Sequence, residues 1–286
     1  MINNKVVCLF TSWLLMFTSC SRNEKEMLGN DYRLFSNTPI ADLAKAAGKQ
    51  DSSRIEQLSK ELSGNINYQE PKFGQTLLMV SVQNENALAC KILLKNGANP
   101  NAHDSYDGTS AVIQISGTHD SPKSEEILQL LLKHGANPND LEIGERREGN
   151  YQRNTPLLSA AGRSLEKVKM LVAAGADINY INEFGESALG RALVLDKLDI
   201  VLYLIESGAD LNILMSKNDG KDFYLSDKLR LKTYFLDSDE YRLKMKITEI
   251  LESKGLPYRS LPVPDYAIAQ AKKMYPSSWE DYLKKY

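Results

Sequence analysis

The sequence predicts an all-α solenoid of stacked helix pairs, and three observations carry that prediction. The pentapeptide GANPN occurs at residues 97–101 and again at 135–139, with echoes GADIN at 175–179, GADLN at 208–212 and a degenerate SGNIN at 63–67. Its closing asparagine recurs at Asn67, Asn101, Asn139, Asn179 and Asn212, in steps of 34, 38, 40 and 33 residues. Ahead of the last four copies lie ALACKILLKN, SEEILQLLLKH, SLEKVKMLVAA and KLDIVLYLIES, whose apolar residues fall on one face of a helix.

Residues 1–19 precede this pattern and read as a secretory signal: Lys5 in a short polar start, the apolar run VVCLFTSWLLMF, then the small residues Thr18 and Ser19. The run is shorter than the roughly 20 apolar residues a membrane-spanning helix needs. FTSC at 17–20 resembles the lipobox of bacterial lipoproteins, with Phe17 where that family usually has Leu. The resemblance implies that Cys20 is lipidated and becomes the mature N-terminus. Ser21 in place of Asp implies the outer membrane, with the body in the periplasm. A spacer at 20–36 follows, which if extended reaches on the order of 50 Å. Of three cysteines, Cys8 leaves with the signal and Cys20 carries acyl chains, so Cys90 has no partner for an internal disulfide.

The segments FGQTLLMVSV (73–82), DGTSAVIQIS (107–116), RNTPLLSAAG (153–162) and FGESALGRAL (184–193) open the repeats. They resemble the T-P-L-H-x-A-A opening of ankyrin repeats, best kept at Thr155, Pro156, Leu157, Ala160 and Ala161, and a period near 33 belongs to that family. The chemistry agrees. Thr155 caps a helix whose first residue is Pro156, where a missing N–H is harmless. Ala160 and Ala161 permit close helix approach, and Gly97, Gly135, Gly175 and Gly208 end the second helices in a left-handed turn. Stacking is obligatory, because one helix pair cannot hide its own apolar stripe.

The expected ankyrin-repeat domain spans 37–257, with clear repeats at 73–102, 107–140, 153–180 and 184–213 and divergent caps at 37–68 and 220–257. In the front cap, Ser59 and Lys60 stand where later repeats have Leu. The tail at 258–286 holds Tyr258, Tyr266, Tyr275, Trp279, Tyr282 and Tyr286. Two readings of it stay open, a helix packed over the last repeat and an aromatic partner site.

Charge excludes little beyond a polyanion-seeking field, since 35 Lys plus Arg stand against 37 Asp plus Glu and nucleic acid is not an expected partner. No phosphate loop, HExxH, GxSxG or paired-cysteine spacing occurs, so no metal, no cofactor and no enzyme activity is expected. Cys90 reads as a buried thiol and His134 and His119 as solvated; His103, close to Asp104, is the histidine best placed for recognition.

The resemblance to ankyrin repeats implies a monomer that binds a protein partner through finger tips and the exposed face of the first helices. Matching positions are Lys72, Phe73, His103, Asp104, Tyr106, Asp107, Asn182, Glu183 and Phe184 at the tips, and Gln83, Asn84, Gln114, Arg163 and Arg191 on the helices. An insertion, DLEIGERREGNYQR at 140–153, departs from the family and offers Arg146, Arg147 and Tyr151 as further contacts or as a floppy loop. In architecture the chain resembles immunity proteins that neutralise antibacterial effectors acting in the periplasm. A scaffold for an endogenous envelope enzyme is the alternative.

Overall fold

Short polar side chains set where the helices begin. In the computed structural model, which describes residues 27–145, 153–218 and 221–286, Thr76 Oγ1 accepts the Met79 amide and Thr155 Oγ1 the Leu158 amide. Pro156 occupies the first position of its helix, and Ser121, Ser164 and Ser187 cap three others. The signal segment, Cys20, Arg146, Arg147 and Tyr151 lie outside the described residues.

Six helix pairs follow one another: α1 (Ala41–Gly48) with α2 (Ser52–Glu61), α3 (Leu77–Gln83) with α4 (Ala87–Lys95), and α5 (Ala111–Ser116) with α6 (Pro122–Lys133). Then come α7 (Pro156–Ala160) with α8 (Leu165–Ala173), α9 (Ala188–Val194) with α10 (Leu198–Glu206), and α11 (Leu225–Arg230) with α12 (Asp239–Ser253). The second helices touch in the order α2, α4, α6, α8, α10, α12, and the first helices from α3 to α11 do likewise. Two parallel layers therefore enclose one continuous core, running from Leu34 to Tyr258. The stripe residues Leu93, Leu128, Leu131, Val168, Leu171, Val201 and Leu204 are fully buried in it. Each such side chain contributes about 1.5–3 kcal/mol. A short antiparallel hairpin, β1 (Ser216–Asn218) and β2 (Lys221–Phe223), is the one strand pair among the described residues.

The repeated pentapeptide has a structural reason. Gly97, Gly135, Gly175 and Gly208 adopt φ of 95, 85, 90 and 93°, which a side chain would oppose. The closing asparagines then tie neighbours together. Asn67 Oδ1 accepts the Asn99 amide and Asn139 Oδ1 the Asp177 amide, each at 2.6 Å, and Asn179 Oδ1 accepts the Asp210 amide at 2.8 Å. The Nδ2 groups of Asn67 and Asn139 donate to the carbonyls of Gly97 and Gly175. An amide ladder thus runs along the finger side of the stack.

Lys167 joins two other repeats. Its ammonium is buried and donates to the carbonyls of Ile115, Thr118 and His119 and to Thr118 Oγ1, closing the C-terminal end of α5. Desolvation holds its pKa below the ordinary lysine value.

The ends differ from expectation. A 3-10 turn at Tyr32–Phe35, within the stretch read as spacer, packs on α1 and buries Leu34 and Phe35. That turn covers the front of the array, and Ser59, expected on a polar cap surface, is fully buried. At the back, α13 (Asp265–Met274) and α14 (Trp279–Lys285) fold against the last pair. Buried Arg230 donates to the Tyr286 carbonyl at 2.9 Å and lies 4.8 and 4.7 Å from the Tyr258 and Tyr286 rings, while the Tyr286 hydroxyl donates to the Arg230 carbonyl. The Lys244 ammonium donates to the Lys232 carbonyl and sits 3.6 Å from the Tyr286 ring centre. Tyr258, Tyr282 and Tyr286 are therefore anchors of the tail, whereas Tyr266 stays exposed.

Candidate functional site

Each finger tip is held from inside by one polar side chain. Glu70 accepts the amides of Lys72, Phe73 and Gln75; Asp104 those of Tyr106, Asp107 and Gly108; Asn182 those of Phe184 and Glu186. This removes Asp104 and Asn182 from the contact surface: both are buried and their acceptors are used by the turn. Desolvation raises the Asp104 pKa, partly offset by those amides. His103 Nε2 lies 3.1 Å from Asp140 Oδ1 of the next finger.

The front tips make a small aromatic cluster. Phe73 meets Tyr106 edge-to-face at 5.7 Å, and the Lys72 ammonium lies 4.9 Å from the Phe73 ring. The exposed Lys72 also donates from Nζ to the Met27 carbonyl at 2.8 Å. Asn84 Nδ2 donates to the Asn30 carbonyl at 2.7 Å, and Gly29 lies over Gln75 and Gln83. Residues 27–30 of the chain itself thus lie along the part of the concave face that Lys72, Gln83 and Asn84 offer. Gln114 is half-buried, with its Oε1 enclosed and unbonded among the described residues.

The beginning of the insertion is ordered against the second finger. The Ile143 amide donates to the Gly108 carbonyl at 2.9 Å, and Glu142 accepts the Asn154 backbone and side-chain amides. Desolvation raises the Glu142 pKa against those bonds. Asp107 lies under this stretch, its carbonyl beside Gly144.

Toward the back the concave face opens into a groove of about 620 Å³ between the finger carrying Phe184, the α7–α8 turn and α11. Phe184, Arg163 and Arg191, all foreseen, line it, together with Val194, Leu195, Met215 and Lys228, which were not. Phe184, Val194 and Leu195 are 57, 67 and 52% exposed, a cluster of large apolar side chains unusual on a lone protein surface. Two of its walls pack on glycines. A Cβ on Gly162 would lie 2.3 Å from Leu195 Cδ1, and one on Gly190 would lie 3.0 Å from Met215 Cε.

The two arginines part company here. Arg191 donates to Asn154 Oδ1 and the Leu158 carbonyl and pairs with Glu186 at 2.6 Å, so it is a strut between repeats. Its cation keeps Glu186 below the ordinary value despite desolvation. Arg163 is exposed and forms no ion pair among the described residues. Glu183 pairs with Arg153 at 3.4 Å. Val194 and Leu195 carried a signal that could have been read: they stand at the end of a first helix where other repeats have Gly117 and Thr118 or Gly162 and Arg163.

Nothing among the described residues gathers three or more His, Cys, Asp or Glu side chains into a metal-binding group. Cys90 is buried in the core, where desolvation pushes its thiol up to about 12. No described helix is long and apolar enough to cross a membrane. The arrangement presents a surface for docking rather than convergent reactive groups.

Comparison with known proteins agrees with the geometry. A family model described as ankyrin repeats (3 copies) matches residues 43–142 and 124–215. Among solved structures the chain is similar to an ankyrin repeat domain from Acinetobacter baumannii AYE, at 27% identity and a TM-score of 0.58, covering 75% of this chain and 98% of that one. Likeness to the ankyrin repeat protein EF0377, at 24% identity and a TM-score of 0.53 with the same coverages of 75 and 98%, shows the fold alone. Neurogenic locus notch homolog protein 1 of Xenopus laevis is 25% identical over 155 residues, which is 54% of this chain but only 6% of that relative's length. With the stacked pairs, the asparagine ladder and the family match all in register, the chain belongs to the ankyrin-repeat family.

Proposed function

We propose that this chain is a non-enzymatic binding protein of the bacterial cell envelope, tethered through lipidated Cys20, which captures a protein partner in the concave groove between α7 and α11. The carrying observation is the exposed apolar set Phe184, Val194 and Leu195 beside Arg163, which has no ion-pair partner among the described residues, on a face whose front portion bonds the chain's own residues 27–30. A preformed groove loses little conformational entropy on docking. The partner class we favour is an antibacterial effector acting in the periplasm, neutralised by occlusion. A scaffold role for an endogenous envelope enzyme is the competing outcome.

Three measurements test this. Cys20→Ser should move the protein from the outer-membrane fraction to the soluble periplasm; unchanged fractionation removes the anchor. Full-length protein should retain a specific partner that Leu195→Asp loses. Deleting the gene beside an intact effector gene should be lethal, whereas survival with an altered envelope enzyme favours the scaffold.

A further inference from the structure

The chain itself displays how its concave face holds a turn of polypeptide, closed by the Asp31 amide on the Leu28 carbonyl at 3.1 Å. Residues 27–30 are held chiefly through backbone carbonyls, Met27 by Lys72 and Asn30 by Asn84, with Gly29 against Gln83. Counted from the capping residue of each first helix, Gln83 and Asn84 are the seventh and eighth positions after Thr76. The same positions after Thr155 are Gly162 and Arg163, and after Ser187 they are Val194 and Leu195, all of which line the open groove. One surface therefore runs along the array, filled in front by the chain's own segment and empty behind.

Its charge sorts what can fill it. Among the described residues Glu186 is the only carboxylate lining the groove, and it is neutralised by Arg191 at 2.6 Å and bonded by Asn182 at 2.9 Å. Arg163 on one wall has no ion-pair partner among the described residues, and Lys228 stands on the other, its ammonium 5.0 Å from the Phe223 ring. Between them lie the exposed faces of Phe184 and Leu195. We propose that the back groove takes an acidic segment of the partner protein, with a carboxylate side chain on Arg163 and Lys228 and an adjacent bulky apolar side chain between Phe184 and Leu195. Two cations on facing walls favour a carboxylate by charge. A basic segment meets two uncompensated cations in the same place and is rejected.

This inference rests on the protein-binding reading and is tested apart from it. Random dodecapeptides displayed on phage are selected on the immobilised full chain, and the enriched peptides are synthesised and titrated by fluorescence anisotropy. Expected are sequences with Asp or Glu within two residues of Leu, Ile, Phe or Met. Their binding should weaken by roughly tenfold or more in an Arg163→Glu/Lys228→Glu variant and change by less than about threefold in Arg163→Lys. Circular dichroism melting of each variant checks that the fold is kept. Enrichment of neutral or basic peptides overturns the proposal, as does acidic binding that survives the charge reversal. Charge-dependent binding of phosphatidylglycerol vesicles without peptide binding also overturns it, in favour of a lipid surface. If a cellular partner is lost on Leu195→Asp but not on charge reversal, the acidic chemistry fails while the protein-binding reading stands; if neither variant affects capture, that reading fails as well.

Discussion

Asn101 binds Asn137 of the next repeat through its side-chain oxygen, which accepts the Asn137 amide at 2.8 Å, while its Nδ2 donates to the Gly135 carbonyl at 2.9 Å. Both halves of the carboxamide are used, and that explains a detail of the spelling. The third pentapeptide position varies as Asn99, Asn137, Asp177 and Asp210, because there only an acceptor is needed, for the amide two residues on. The fifth position is Asn in every copy, and at Asn67, Asn101 and Asn139 its Nδ2 supplies a donor that Asp lacks.

Asn101→Asp should therefore destabilise the array by about 1–2 kcal/mol, whereas Asn137→Asp should change stability by less than about 0.5 kcal/mol. Urea midpoints at constant slope measure both. Equal effects would show that the ladder does not depend on the donor.

The arginines at 163 and 191 are both candidate contacts in the sequence and have opposite places in the structure. Arg191→Ala removes three bonds across two repeats and should destabilise by about 2–3 kcal/mol. Arg163→Ala should leave stability within about 0.5 kcal/mol while weakening partner capture. Thermal melting combined with a binding titration separates the two roles.

Stability should depend on pH through Lys244. Burial, and secondarily the Arg230 guanidinium, push its ammonium down to about 6, well below the ordinary lysine value of 10.5. Between those values the unfolded chain binds a proton that the folded chain does not, so stability rises as pH climbs from about 6 and levels off near 10.5. The slope from this one group is at most about 1.4 kcal/mol per pH unit. Tyr258 and Tyr286, which face it, are raised by burial and stay neutral through the window. Lys244→Met should flatten the rise in urea midpoint between pH 6.5 and 9; an unchanged slope would assign the dependence elsewhere.

The insertion is docked through a contact that tolerates no side chain. Gly108 has φ of 63° and a Cβ there would lie 1.9 Å from the Gly144 amide nitrogen, so Gly108→Ala should detach residues 141–145 from the second finger. At Gly97 a Cβ meets nothing within 4 Å, so Gly97→Ala should add only the left-handed backbone penalty of about 1–2 kcal/mol. Limited proteolysis should show faster cleavage near 140–153 in the Gly108 variant alone.

Much of the architecture was legible in the spelling. Thr155 and Pro156 begin a helix, Gly175 ends the next, and Leu128 with Leu131 turns inward as spaced. The site was legible only in part. Phe184 and Arg163 reach the groove, but Asp104 and Asn182 turned inward to hold their own fingers, and Lys72 and Asn84 bond the backbone of residues 27–30. The front turn that buries Phe35 was hidden in a stretch that reads as a tether.

The sequence by itself determined the repeat phase, the helix ends and the buried stripe, because caps, left-handed glycines and apolar spacing act within a turn or two of chain. Only the tertiary structure decided which polar tips face outward, where the tail anchors and what lines the groove. Those outcomes depend on residues that meet across the fold, such as Lys72 with Met27, Arg230 with Tyr286 and Gly162 with Leu195, and spacing along the chain does not encode such meetings.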